Sequence, residues 1–155
     1  MIAVLLLTST LAFAQEKRDE NEVVFAGEKD PDMIAAIRQA RSELGNFLAL
    51  AAAPPAGTSG YKLKVMVKDR SITEHFWVVP FKVEGTGFVG VLANEPKLVK
   101  NVKAGQVVRF TRNEISDWGY VKNGRQVGSY TVCALFKKMP KDQADYYRKN
   151  HGFDC

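Results

Sequence analysis

The hydrophobic period of the chain changes once, at Pro54-Pro55, and that change sets the order of its elements. Before the prolines, Met33, Ile34, Ile37, Ala40, Arg41, Leu44, Phe47, Leu48 and Ala51 recur at spacings of three and four. That is the repeat of one face of an α-helix. Asp30-Pro31-Asp32 gives it a start, with Asp as N-cap, Pro at the first helical position and an acid in the first turn. The prolines stop it near Ala53, and AGTSG forms the connection.

After them the period is two. Tyr61, Leu63, Val65 and Val67 alternate with Lys62, Lys64, Met66 and Lys68, giving an apolar face and a largely cationic one. Asp69-Arg70-Ser71 turns the chain into Thr73–Val83, where alternation predicts His75, Trp77, Val79, Phe81 and Val83 on one face. Pro80 there requires an edge position or a bulge. Glu84-Gly85-Thr86-Gly87 is a hairpin turn returning through Phe88–Leu92, whereas KLVKNVKAG (97–105) fits neither period. Val107–Thr111 reads as a strand. Trp118–Val121, a turn at Lys122-Asn123-Gly124 and Gln126–Leu135 read as a second hairpin, and Pro140-Lys141-Asp142 opens a helix to about Asn150. The expected class is α+β: an N-terminal amphipathic helix on a twisted antiparallel sheet or partly closed barrel of about six strands, then a short C-terminal helix.

The N-terminus adds a compartment. Ile2 to Ala14 carries no charge and runs directly into QEKRDENE. Such a stretch is too short for a transmembrane helix, which takes about 20 residues. It fits the apolar region of a secretory signal peptide ending in Ala12-Phe13-Ala14, although no Lys or Arg precedes it. A buried N-terminal helix is the competing reading. No Cys lies at the cleavage point, so no lipid anchor is expected. The organisation that follows is a signal peptide at 1–14, a polar flexible lead-in at 15–29 and one domain at 30–155, periplasmic or secreted after cleavage following Ala14.

Composition narrows the classes further. At 155 residues, with 46% hydrophobic and 25% charged, the chain is neither disordered, collagen-like nor a multi-span membrane protein. A net charge of +5 is a mild basic excess, short of a nucleic-acid binder's. Two cysteines are too few for a disulfide scaffold or a four-thiolate zinc site. In an oxidising compartment Cys133 and Cys155 could form one bridge tying the tail to the sheet; otherwise they are unrelated thiols.

Several blocks of sequence together resemble the YegJ-like family of small bacterial proteins, a domain of unknown function. They are FLALAAAPPAG at 47–57, Glu74-His75-Phe76-Trp77, Phe88-x-Gly90-x-Leu92-Ala93-Asn94-x-Pro96 and VKNVKAGQVV at 99–108. Ile115-Ser116-Asp117-Trp118-x-Tyr120 and Gly124-x-x-x-Gly128-x-Tyr130-Thr131 continue the series. The resemblance implies no activity, because the family has none established.

Two blocks could carry chemistry. His75 and Asp117, with Ser116 as a nearby hydroxyl, would make a base, an orienting acid and a nucleophile if their strands met. That is the arrangement of a small periplasmic hydrolase. The structural reading of the same residues is a satisfied histidine, an aspartate capping a turn through backbone N–H groups, and two core tryptophans. His75 and His151 are the only histidines and lack metal-ligand spacing, so no metal or other cofactor is expected. Lys62, Lys64 and Lys68, with Lys97, Lys100 and Lys103, could form a positive face. For an exported chain such a face suits an envelope protein or an anionic envelope component, and not nucleic acid. The favoured function is an exported, non-enzymatic binding module of unknown ligand, with an immunity-type or an envelope-associated protein as its two forms. Its face would be built around Trp77, Asp117, Trp118 and Tyr120 with Lys62 and Lys64. Oligomeric state is not set by the sequence.

Overall fold

The computed structural model describes residues 29–155; the expected signal peptide and most of the lead-in lie outside the described residues. Helix α1 spans Pro31–Ala52, and its N-cap Asp30 accepts a hydrogen bond from the Met33 amide at 3.1 Å. This supplies an acceptor for one of the amides that a helix start leaves unpaired. Ala36, Ala40, Leu44 and Phe47 form its buried stripe.

Six strands follow: β1 Thr58–Asp69, β2 Ile72–Glu84, β3 Gly87–Leu92, β4 Val107–Phe110, β5 Ile115–Lys122 and β6 Arg125–Gly128. They pair antiparallel in the order β4-β3-β2-β1-β5-β6. The sheet is open, with β4 and β6 as its edges, so it does not close into a barrel. The β5–β6 turn carries Asn123 and Gly124 at φ 50° and 80°, the left-handed pair a two-residue hairpin needs.

Helix α1 lies on one face of this sheet. Phe47 stacks on Trp118 with centroids 4.9 Å apart, and the Trp118 indole donates to the Ala40 carbonyl at 2.8 Å. Leu63, Val65, Phe76, Val78 and Ile115 complete the contact layer, each 1% exposed or less. Fully burying one such side chain stabilises the fold by about 1.5–3 kcal/mol.

The β2 face differs from the expectation. Register sets Leu63 beside Val78, Val65 beside Phe76 and Val67 beside Glu74. Glu74, Phe76 and Val78 therefore face the core, while His75 and Trp77 share the outer face with Lys62, Lys64 and Met66. A bulge between Val78 and Phe81 then changes the phase: Phe81 returns to the core, 6.0 Å from Phe47, and Val83 is exposed. Pro80 occupies that bulge in an interior strand, where its missing N–H interrupts no ladder.

Residues 93–106 form a long connection with no helix or strand of their own. Buried Glu74 organises it by accepting from the amides of Lys97, Leu98 and Val99 at 2.9, 2.8 and 3.0 Å.

The expected strand Gln126–Leu135 ends at Gly128. Ser129 takes a left-handed φ of 55°, and helix α2 (Tyr130–Phe136) begins, so Cys133 lies on a helix and not on the sheet. The alternating apolar letters of SYTVCALF misled because Thr131, Ala134 and Phe136 are buried from a short helix. Helix α3 spans Lys141–His151, close to expectation. A disulfide joins Cys133 to Cys155, with Cα atoms 5.6 Å apart. The tail it holds runs along the β6 edge, where Gly152 O accepts from the Gln126 amide at 2.9 Å. Among the described residues no helix is long and apolar enough to cross a membrane.

Candidate functional site

The sheet divides the sequence-derived candidates between its two faces. Trp118 and Tyr120 point to the α1 side, 5% and 8% exposed, and belong to the core. His75, Trp77, Lys62, Lys64, Ser116 and Asp117 come together on the other side. A face combining Trp77 and Asp117 with Trp118 and Tyr120 therefore does not exist, because adjacent strand residues point in opposite directions.

A β-bulge explains why Ser116 and Asp117, neighbours in sequence, both reach this side. Lys64 pairs with Asp117 and Val65 with Ile115, leaving Ser116 as the extra residue. Ser116 Oγ lies 2.8 Å from His75 Nδ1 and donates to the Lys64 carbonyl at 3.2 Å. It is completely buried.

Asp117 is equally buried and has four donors. Oδ1 accepts from the amides of Trp118 (2.8 Å) and Tyr130 (3.3 Å), and Oδ2 from the amide (2.8 Å) and hydroxyl (2.6 Å) of Thr131. Two of these amides open α2, whose own N-cap Ser129 makes no capping bond. Asp117 thus caps α2 from a neighbouring strand, as the structural reading of the sequence allowed. His75 meets Ser116, while the Asp117 oxygens accept from the Trp118 amide and from the start of α2.

Lys64 Nζ donates to Thr131 Oγ1 at 3.0 Å, completing a relay from ammonium through hydroxyl to carboxylate. Lys62 and Lys64 both stand over the Trp77 ring, 4.7 and 5.3 Å from its centroid, within cation–π range. Burial pushes the Asp117 carboxyl up from its ordinary value, opposed first by the charge of Lys64 and then by the Thr131 bonds. Burial likewise pushes both lysines down, and the Asp117 charge opposes this.

Lys97, Lys100 and Lys103 sit on the 93–106 connection, whose backbone is anchored to Glu74 on the core side of β2. The same connection meets the end of β1, where the Lys100 amide donates to Asp69 and the Asn101 side chain to the Lys68 carbonyl. Among the described residues no group of three His, Cys, Asp or Glu is placed to hold a metal ion. Sequence reasoning missed Gly119, Ser129 and Thr131 at this site; Thr131 was visible only as the last residue of the Gly124–Thr131 block.

A family profile described as "Uncharacterized protein conserved in bacteria (DUF2314)" matches residues 30–155. The chain is similar to "Uncharacterized protein YegJ" of Escherichia coli strain K12, with 33% identity over 96% of this chain and 97% of the relative. It is also similar to a protein of Neisseria meningitidis serogroup B described as a "Putative ankyrin repeat protein". There the identity is 33% over 56% of this chain and 34% of that protein. No solved structure matches.

Proposed function

The chain belongs to the conserved bacterial family DUF2314, and for this member we propose an exported, non-enzymatic module that binds an envelope protein or an anionic envelope component. The observation that carries the reading is Trp77, half-buried on the sheet face away from α1 with two lysine ammonium groups over its ring. An aromatic ring beside fixed cations suits recognition of an anionic partner. Export is supported by the uncharged 2–14 stretch and by the Cys133–Cys155 bridge, since disulfides persist in oxidising compartments. An immunity-type protein that blocks a toxin is one form of the same reading.

One contact favours the hydrolase reading, the 2.8 Å approach of Ser116 Oγ to His75 Nδ1. Against it, Ser116 is closed to substrate and the Asp117 oxygens are engaged by α2 and the Trp118 amide.

The test is co-sedimentation of the mature protein with envelope fractions, beside Trp77→Ala. Loss of binding in a folded Trp77→Ala protein supports the module. Ester hydrolysis abolished by Ser116→Ala would replace it with the enzyme.

A further inference from the structure

We infer that the outer sheet face holds a notch for one oxyanion of the partner, a carboxylate or a phosphate, formed by Lys62, Ser129 and the bare backbone at Gly119 beside Trp77. The inference rests on the binding reading above and names the chemistry of what is bound.

Five observations converge. Lys62 Nζ has no hydrogen-bond acceptor among the described residues; its contact is the Trp77 ring. Lys64, the second ammonium over that ring, is engaged by Thr131. Asp117 is the carboxylate that offsets the two lysines, and its oxygens already accept four hydrogen bonds. Two cations against one carboxylate leave one positive charge for a ligand to neutralise.

The remaining two concern Gly119 and Ser129. Gly119 pairs with Lys62 across β1 and β5. A Cβ at Gly119 would stand 2.6 Å from Ser129 Oγ and 3.2 Å from Lys62 Cε, so the absence of a side chain is what lets these groups meet. Ser129 is fully buried and its hydroxyl has no hydrogen-bond partner among the described residues. A buried unpaired hydroxyl is costly, and a ligand oxygen accepting from it removes that cost. Lys62 Cε and Ser129 Oγ both flank the bare Gly119 backbone, so the proposed site requires the Lys62 side chain to move with its ammonium onto the incoming oxygen, which then meets the hydroxyl beside Gly119. The notch offers one ammonium and one hydroxyl donor against a net positive wall. An oxyanion, which forms charge-assisted bonds with both, fits better than a neutral carbonyl.

The experiment is NMR titration of the mature protein at constant ionic strength, following the Gly119 and Ser129 amides and the Trp77 indole. Sodium acetate and inorganic phosphate are the probes, sodium chloride is the control, and phosphatidylglycerol vesicles are set against phosphatidylcholine ones. Saturable shifts with acetate or phosphate, absent with chloride, are expected. Lys62→Met, which keeps the stem, weakens binding by about tenfold or more, the usual loss with a charged hydrogen-bond partner. Lys97→Met leaves it unchanged. Response to acetate alone points to a carboxylate partner, and response to phosphate and anionic vesicles points to a headgroup. Shifts that match chloride, or that persist undiminished in Lys62→Met, overturn the notch. If the notch fails in this way while Trp77→Ala still loses the envelope partner, the binding face stands without it. If the notch titrates but Trp77→Ala keeps the partner, the face reading is the one that falls.

Discussion

Asp117 Oδ2 accepts both the amide and the hydroxyl of Thr131, at 2.8 and 2.6 Å, and so fixes the first turn of α2 to β5. Residues 117 and 131 lie on opposite sides of the β5–β6 hairpin, so this bond decides where the chain leaves the sheet. It also leaves the Asp117 carboxylate buried beside Lys64, and removing it strands both the α2 amides and an ammonium.

Asp117→Ala is therefore expected to lower stability by about 3 kcal/mol or more, because it leaves the Trp118, Tyr130 and Thr131 donors without acceptors at about 1–3 kcal/mol for each buried one. Lys64→Met in the same chain should recover part of the loss, because the unpaired ammonium goes with it. Urea midpoints of the two single variants and the double one measure the coupling. A Asp117→Ala loss below about 1 kcal/mol, the size of a single ordinary hydrogen bond, would sink the capping role.

Glu74 does comparable work for a connection that has no regular structure. Its carboxylate holds three successive amides at 97–99, so Glu74→Ala leaves them without acceptors at a cost of about 2–3 kcal/mol. Hydrogen exchange at Lys97, Leu98 and Val99 should accelerate while exchange in β1 stays slow. Equal acceleration throughout the sheet would mean that Glu74 supports the whole fold and not this connection.

The Cys133–Cys155 bridge closes a separation of 22 residues. By loop entropy, Cys155→Ser or reduction should cost about 3 kcal/mol. The tail contacts should loosen with it. The Gln126 amide, paired with Gly152 O, should exchange faster, whereas the Trp118 indole bonded to Ala40 O should not. Thiol labelling of the denatured, unreduced mature protein should find no free cysteine.

Part of the acid sensitivity should lie at the start of α1, beside that of Asp145 in α3. A hydrogen bond from Lys138 holds the Asp30 carboxyl below its ordinary value of 3.8, with the Met33 amide adding to this. Lys137 does the same for Asp32. A carboxyl depressed by folding contributes stability that is full above the unfolded value and lost as pH falls through the folded one. Lys138→Met should therefore flatten the loss of stability as pH falls below the ordinary Asp value of 3.8. An unchanged acid limb in chemical denaturation would remove Asp30 from that account.

Much of the fold was legible because it rests on local patterns. Asp30-Pro31, the spacing from Ala40 to Phe47, the Tyr61–Val67 alternation and Asn123-Gly124 each specify an element from adjacent residues alone. The single disulfide was legible as a pairing of two cysteines once export was inferred. The face of β2 was not, because His75, Trp77 and Phe81 look like one apolar stripe until the Pro80 bulge changes the phase between them.

The site was partly legible for the same reason. Glu74-His75-Phe76-Trp77 and Ser116-Asp117 stand out as chemistry-bearing letters, and His75, Ser116 and Asp117 do share a face. The sequence gives no sign that Asp117 would be taken up by a helix thirteen residues on, or that Ser129 would sit against Gly119. The sequence by itself determined an α+β chain, its helix start, its hairpins and its family. Only the tertiary structure decided which faces are buried, where β6 becomes α2 and which polar groups meet. Propensity and period act over a few neighbours, whereas bulges, cross-strand register and the satisfaction of buried polar groups depend on strands that meet only in the folded sheet.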